Sequence, residues 1–94
     1  RETANRLRQQ AFGSHADELE TSRMLALAPG SVNMARAVAP TNGPFEGPLT
    51  RVNAPSGVYG DPTMADAAKG EALIAAMLQD LNEQIAMRLD QTGN

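Results

Sequence analysis

Ser14-His15-Ala16-Asp17-Glu18-Leu19-Glu20-Thr21-Ser22, continuing through Arg23-Met24-Leu25-Ala26-Leu27-Ala28 to Pro29-Gly30, is the stretch on which the reading of this chain turns. It gathers the only histidine of the 94 residues and three carboxylates into nine positions, just before an apolar run. Ser14 with Asp17 three residues on approximates a capping box, so a helix is expected from about Ala16 to Ala28, halted by Pro29-Gly30. Leu19, Met24, Leu25 and Leu27 are the side chains it offers for burial. Asp17, Glu18 and Glu20 fall in its first turns, where carboxylates suit the positive end of the helix dipole. Two readings of His15 stand side by side. It is a capping or structural residue, or it is a proton carrier, because imidazole is the side chain that titrates nearest neutrality. The helix dipole disfavours an imidazolium there while a carboxylate such as Glu20 favours it, and both tendencies remain open.

Upstream, Arg1 to Gln10 is polar, rich in helix formers and reads as the end of a surface helix, with Arg1, Arg6 and Arg8 as its solvated face. The chain opens on Arg1 rather than Met, so it is taken as a fragment of one domain. Its segments are a helix end and loop over 1–13, the His15 segment and its helix over 14–28, a Pro/Gly-rich loop over 29–61 and a C-terminal helix over 62–92.

All six prolines and five of the eight glycines lie between Pro29 and Pro62, with only a short helical stretch expected between Ser31 and Val38. A loop this long is unusual inside a small domain, where connections run to about 4–6 residues. Phe45, Leu49, Val52, Val58 and Tyr59 are spaced along it like anchors, so it is expected to be clamped against other structure. Asp61-Pro62-Thr63 then starts the last helix, with Asp61 as cap and Pro62 at the first helical position. Thr63 with Asp66 is the competing cap. Ile74, Met77, Leu78, Leu81, Ile85 and Leu89 recur at helical spacing and form one apolar stripe, with Gly93 as terminator. Gly70, among Ala65, Ala67, Ala68, Ala72, Ala75 and Ala76, makes a small-residue face for close packing, against which a ligand's approach is the lesser alternative.

Composition narrows the function classes. Apolar residues make up 41% of the chain, but with no Trp, one Tyr and two Phe the large core-filling side chains are scarce. The absence of cysteine excludes disulfides and thiolate metal sites. A net charge of -3 and a pI near 4.9 argue against a nucleic-acid partner. The longest apolar runs, Met24 to Ala28 and Ala72 to Leu78, fall far short of the ~20 residues of a membrane span, so a cytoplasmic protein with no membrane partner is expected. Ser14, His15 and Asp17 are neighbours in sequence, but a hydrolase triad is assembled from distant segments with its serine on a strained turn. One histidine and no cysteine provide no complete metal-ligand set.

The segment His15-Ala16-Asp17-Glu18-Leu19-Glu20-Thr21-Ser22 with Met24-Leu25 resembles the His-Ala-Gly/Asp-Glu-x-Glu-Thr-Ser-x-Met-Leu element of the creatininase family of amidohydrolases. A second block, Gly57-Val58-Tyr59-Gly60-Asp61-Pro62-Thr63-Met64-Ala65 followed by Lys69-Gly70-Glu71, resembles that family's Gly-Val-x-Gly-Asp-Pro-Thr-x-Ala and Lys-Gly-Glu elements, and Gly47-Pro48-Leu49-Thr50-Arg51 resembles a subgroup of it. The resemblance covers about Gly13 to Leu89. It implies an α/β fold of which this chain is the C-terminal helical and loop portion, the sheet of the α/β/α domain lying mostly in an N-terminal part. It further implies a homo-oligomer, commonly a hexamer, and divalent zinc, manganese or iron held by that N-terminal part, with no metal ligand in this chain. By resemblance His15 is the active-site histidine that handles protons or binds substrate, and Glu20 is the acid that orients or charge-stabilises it. Asp17 stands where many members have Gly, and Phe12 is offset from the aromatic that creatininase itself places before the histidine, which weakens creatinine as substrate. The expected function is hydrolysis of a cyclic or small amide C–N bond, with the N-terminal portion of the same protein as partner. The rival expectation is a non-enzymatic helical module that docks through its amphipathic C-terminal helix.

Overall fold

The computed structural model describes residues 2–40, 43–45 and 47–92. Three helices, α1 (Glu2–Leu7), α2 (Glu18–Leu27) and α3 (Ala67–Thr92), are accompanied by 3-10 turns at Pro29–Ser31, Met34–Arg36 and Pro62–Met64. Among the described residues there is no strand, and the one β-type pairing is an antiparallel bridge between His15 and Tyr59. The chain is therefore mostly helical, compatible with the helical and loop portion of the expected α/β domain. No described helix is long and apolar enough to cross a membrane.

Two helix starts differ from the sequence expectation. α2 is capped by Asp17, whose Oδ1 accepts the Glu20 N–H at 3.0 Å, and not by Ser14. The Ser14 N–H is instead donated to the Tyr59 carbonyl at 2.9 Å, which carries Ser14 and His15 away from the helix axis. The helix expected from Pro62 begins only at Ala67. Asp61 caps the single 3-10 turn Pro62–Met64, accepting the Thr63 N–H at 3.1 Å, after which Ala65 is extended. Asp66 then serves the new start, its Oδ1 accepting the Lys69 N–H at 2.8 Å. The expected terminator Gly93 lies outside the described residues.

α2 packs on the first turns of α3, and α1 touches α3 as well. Gly70 makes the α2 contact possible, because a Cβ at that position would collide with the carbonyl of fully buried Ser22. The small-residue face read from the sequence is thus a helix crossing. Leu19, Ala54 and Leu73, together with Pro62, are the buried apolar residues, whereas Gln10, Asp17, Glu18, Ser22 and Asp61 are buried polar ones. The centre of this structure is polar.

The apolar stripe of α3 points elsewhere. Met77, Leu78, Leu81, Ile85 and Leu89 are 47–64% exposed, so the burial expected of them does not occur within this chain. Length explains part of this: at 1.5 Å per residue the ten residues of α2 cover about 15 Å of an α3 that runs about 39 Å. Angle explains the rest. Gly70 and Leu73, which face α2, lie roughly a quarter turn around the helix from the line Ile74, Leu78, Leu81, Ile85 and Leu89.

Candidate functional site

The two sequence blocks singled out above meet in space. The Ser14 and His15 N–H groups donate to the Tyr59 carbonyl at 2.9 and 3.1 Å, and the Tyr59 N–H donates to the His15 carbonyl at 2.8 Å. His15 and Tyr59 are therefore a hydrogen-bonded antiparallel pair, an arrangement that sets directly opposite side chains on one face with Cβ atoms about 4.5–5.5 Å apart. Immediately after His15, Ala16 adopts φ +50°, a left-handed conformation that is uncommon for a residue with a Cβ. That turn redirects the chain from the bridge into α2.

A buried polar network holds this joint from beneath. The Glu18 carboxylate, fully buried, accepts the Gln9 N–H at 2.8 Å and the Gln10 N–H at 2.9 Å on Oε1, and the Lys69 ammonium at 2.6 Å on Oε2. Lys69 Nζ also donates to the Met64 carbonyl at 2.7 Å and to Gln9 Oε1, so its three protons are all used. Gln10 ties three segments together: Nε2 donates to Asp17 Oδ2 at 2.7 Å, and Oε1 accepts the N–H groups of Asp61 at 2.8 Å and Glu18 at 3.2 Å. Ser22 Oγ accepts the Asp66 N–H at 3.1 Å. Among the described residues no buried side-chain N or O lacks a partner. Burial alone would raise the Glu18 carboxyl, but the Lys69 hydrogen bond and charge and the Gln10 and Gln9 amides outweigh it and hold Glu18 below its ordinary value. Gly60, at φ +136°, completes the packing, since a Cβ there would strike Asp17.

Above the network stand the candidate site residues. His15 is exposed, and among the described residues its imidazole has no hydrogen-bond or ion-pair partner. Glu20 is also exposed, and its Oε1 accepts the Ala16 N–H and not an imidazole proton. Glu20 reaches the His15 position through the backbone, fixing the peptide that follows His15. Asp17 is committed to its cap and to Gln10, which removes it from any Ser14-His15-Asp17 arrangement. No three His, Cys, Asp or Glu side chains come together as a metal site among the described residues.

Two concavities flank this position. On the Tyr59 side, Phe12 and Phe45 pack against the tyrosine ring at centroid distances of 5.4 and 4.7 Å, bringing together all three aromatic residues of the chain around a cavity of about 180 Å³. On the Glu20 side, a wide groove of about 720 Å³ runs over Ala16, Thr21, Met24, Val32 and Met77. Of the expected anchors of the long loop, Phe45 and Tyr59 join the aromatic cluster, whereas Val52 is 88% exposed.

Sequence reading missed Gln10, Glu18 and Lys69 as a unit. Glu18 looked like one more acid at a helix start, and Gln10 carried no motif. The signal that could have linked them was Lys69 in the Lys-Gly-Glu element: a lysine beside a helix-packing glycine faces the same neighbour, where a buried cation requires an acid.

Comparison with known proteins bears on the same residues. The family described as creatininase, creatinine amidohydrolase, matches residues 1–85. Two curated relatives, the mycofactocin precursor peptide peptidases of Mycobacterium tuberculosis strains CDC 1551 / Oshkosh and ATCC 25618 / H37Rv, are each 35% identical over 85 residues, covering 82% of this chain and 34% of the relative. The chain therefore spans about a third of the length of these relatives. No solved structure matches. With the family match running through both blocks that the His15–Tyr59 bridge joins, the chain belongs to the creatininase family.

Proposed function

We propose that this chain is the helical portion of a creatininase-like, metal-dependent amidohydrolase that cleaves an amide C–N bond, and that His15 is its proton-handling residue. The observation that carries the reading is the His15–Tyr59 joint: a solvent-facing imidazole on a backbone fixed by three main-chain hydrogen bonds, a Glu20–Ala16 contact and a fully satisfied polar network. Proton transfer needs such positional control, and an imidazole with no partner among the described residues is available to substrate. In the proposed reaction a water oxygen bonds to the amide carbon and the C–N bond breaks. His15 accepts the proton that water loses and returns it to the departing nitrogen. Glu20 is the positioning residue, acting through the Ala16 peptide.

The family implies divalent zinc, manganese or iron, whose chemistry is to activate water and polarise a carbonyl. The residues described here do not fit such a site, since Asp17, Glu18 and Glu20 are already engaged and His15 stands alone. We therefore assign the metal to the remainder of the domain and derive no step through it. That remainder, with the sheet of an α/β/α fold, is also the proposed cover for the exposed face of α3, a view supported by relatives three times as long. Hexameric assembly and a cytoplasmic setting belong to the same proposal. The relatives' name makes a peptide amide the first substrate to try, beside the cyclic or small amide that the family description suggests.

The test is His15→Asn in the complete protein with metal content verified by mass spectrometry. Loss of general acid–base catalysis is expected to lower kcat by about 10²–10⁴. Turnover near wild type with metal intact would refute the role. A complete protein that folds, stays metal-free and hydrolyses no amide would instead favour the helical docking module.

A further inference from the structure

Among the described residues, one side chain from outside the two sequence blocks accepts a backbone N–H from each of them, and it is Gln10. Its Oε1 takes the Asp61 N–H at 2.8 Å and the Glu18 N–H at 3.2 Å, while its Nε2 donates to Asp17 Oδ2 at 2.7 Å. Asp61 follows Tyr59 closely in sequence, as Asp17 and Glu18 follow His15, so the amide grips both chains just after they leave the His15–Tyr59 pair. A side-chain amide suits this place because its oxygen accepts from two main-chain donors while its nitrogen donates to a carboxylate. Gln10 is only 5% exposed, and Gly60 makes its approach possible, since a Cβ there would strike Gln10 Oε1 as well as Asp17. The bond to Asp17 reaches the other side of His15. The second oxygen of that carboxylate caps α2 on the Glu20 N–H at 3.0 Å, and Glu20 in turn holds the Ala16 N–H. Gln10 is thereby connected to both anchors of the His15 backbone, to the bridge through Asp61 and to the Glu20 contact through Asp17.

We propose that Gln10 is a second positioning residue for the reaction, setting the register in which the His15 and Tyr59 segments meet and with it the place of the imidazole. The inference rests on the reading of His15 given above. Gln10 acts through the Asp61 and Asp17 main chains and itself meets neither the imidazole nor the substrate.

The experiment uses the complete, metal-loaded protein, a short peptide amide as substrate, and two variants of similar side-chain length. Gln10→Met removes both polar ends and is expected to lower kcat by about 10² with KM changed by no more than about twofold, since a misplacement near 1 Å costs that much in turnover. Amide hydrogen exchange is read at the His15 and Tyr59 N–H groups, which bond to each other's carbonyls and not to Gln10, so that a change there reports transmission to the pair. It is expected to quicken by about tenfold in Gln10→Met while the global unfolding midpoint still leaves the protein folded. Gln10→Glu keeps the accepting oxygen and sets a second carboxyl against Asp17, with Glu18, Asp61 and Lys69 in the same network. Two carboxylates at that distance share a proton up to a raised pKa. While the proton is held, its O–H replaces the Nε2 donor and the joint stays closed; once it leaves, the carboxylates repel. The kcat of Gln10→Glu is therefore expected to fall as pH rises, along a limb that the wild type lacks, at temperatures where circular dichroism shows both proteins folded. A Gln10→Glu profile parallel to the wild type, or a folded Gln10→Met with unchanged kcat and exchange, would overturn the positioning role. Should Gln10→Met not fold, the profile of Gln10→Glu decides alone, and failure of both to fold would make Gln10 a folding residue only. His15→Asn separates the two proposals. Quickened exchange in Gln10→Met with a dispensable His15 keeps the register and removes the mechanism, whereas unchanged exchange with an essential His15 removes the role of Gln10 and keeps the mechanism.

Discussion

The first two turns of α3 and its remaining five are opposites. At Lys69, Gly70 and Leu73 the helix is enclosed: its cation is saturated by three acceptors, its glycine rests on the Ser22 carbonyl and its leucine is 4% exposed. From Met77 onward its apolar residues face outward, with Leu81, Ile85 and Leu89 each about half exposed or more. The difference teaches where the fold is self-contained. The first two turns are held by polar groups whose demands are met locally, whereas the longer remainder presents apolar side chains that no described residue covers.

The comparison breaks most severely at Glu18. Glu18→Ala leaves the Lys69 ammonium and the Gln9 and Gln10 amides without their acceptor, and removing one partner of a buried pair costs about 3–5 kcal/mol. Denaturant unfolding of the complete protein should show that loss, and a loss under 1 kcal/mol would mean that water satisfies the network. The same carboxylate sets a pH dependence. Because Glu18 is held below its ordinary value in the folded state, the unfolded state binds the proton more readily. Its contribution is therefore fully present above the ordinary carboxylate range and is lost as pH falls through its lowered folded value. Glu18→Gln should flatten the acid limb of the stability–pH curve.

The outer turns of α3 carry the next effect. Leu81→Glu and Ile85→Glu in the complete protein are expected to cost on the order of 2 kcal/mol each if the remainder of the domain covers them, that being the scale for burying such a side chain. Exposed positions change by about 0.5 kcal/mol at most. A result in that smaller range would make the stripe a true surface and the contrast between the two parts of α3 permanent.

Gly70→Ala sharpens the crossing point. Replacing a helical glycine gains about 1 kcal/mol in propensity, while overpacking costs about 1–3 kcal/mol. The obstacle here is the Ser22 backbone carbonyl, which cannot rotate aside as a side chain can, so a net loss of about 1–2 kcal/mol is expected in thermal or denaturant unfolding. A stabilised Gly70→Ala would show that α2 and α3 separate more easily than their contact suggests.

What was legible in the sequence follows the same division between local and distant causes. The period of α3, the Pro29-Gly30 stop of α2 and the packing role of Gly70 depend on residues a turn or two apart and could be read, whereas Asp61, expected to cap α3, caps only the 3-10 turn before it. The cap of α2 was misplaced by three residues because Ser14 and Asp17 both fit the rule, and only the pull of Tyr59, more than forty residues away, separates them. Gln10 was invisible for the same reason. Its oxygen meets the Asp61 amide across 51 residues, and nothing in a lone glutamine announces a partner. For the candidate site, family resemblance pointed to His15 and Glu20, but the path from Glu20 to His15 through the Ala16 peptide needed coordinates.

The smallest effect lies at Ala16, between the finished network and the exposed imidazole. A left-handed conformation costs an L-residue about 1–2 kcal/mol, and glycine removes that cost while adding about 0.5–1 kcal/mol of chain entropy to be lost on folding. Ala16→Gly should therefore be neutral to slightly stabilising, by no more than about 1 kcal/mol. Its value lies in the pairing with activity. If the Glu20–Ala16 contact and the Tyr59 bridge alone fix the His15 backbone, the glycine variant keeps its turnover, because both contacts use main-chain atoms that glycine retains. If turnover falls while stability holds, the wider backbone freedom of glycine loosens the peptide that follows His15, and His15 is positioned by the restricted range of residue 16 as well as by hydrogen bonds.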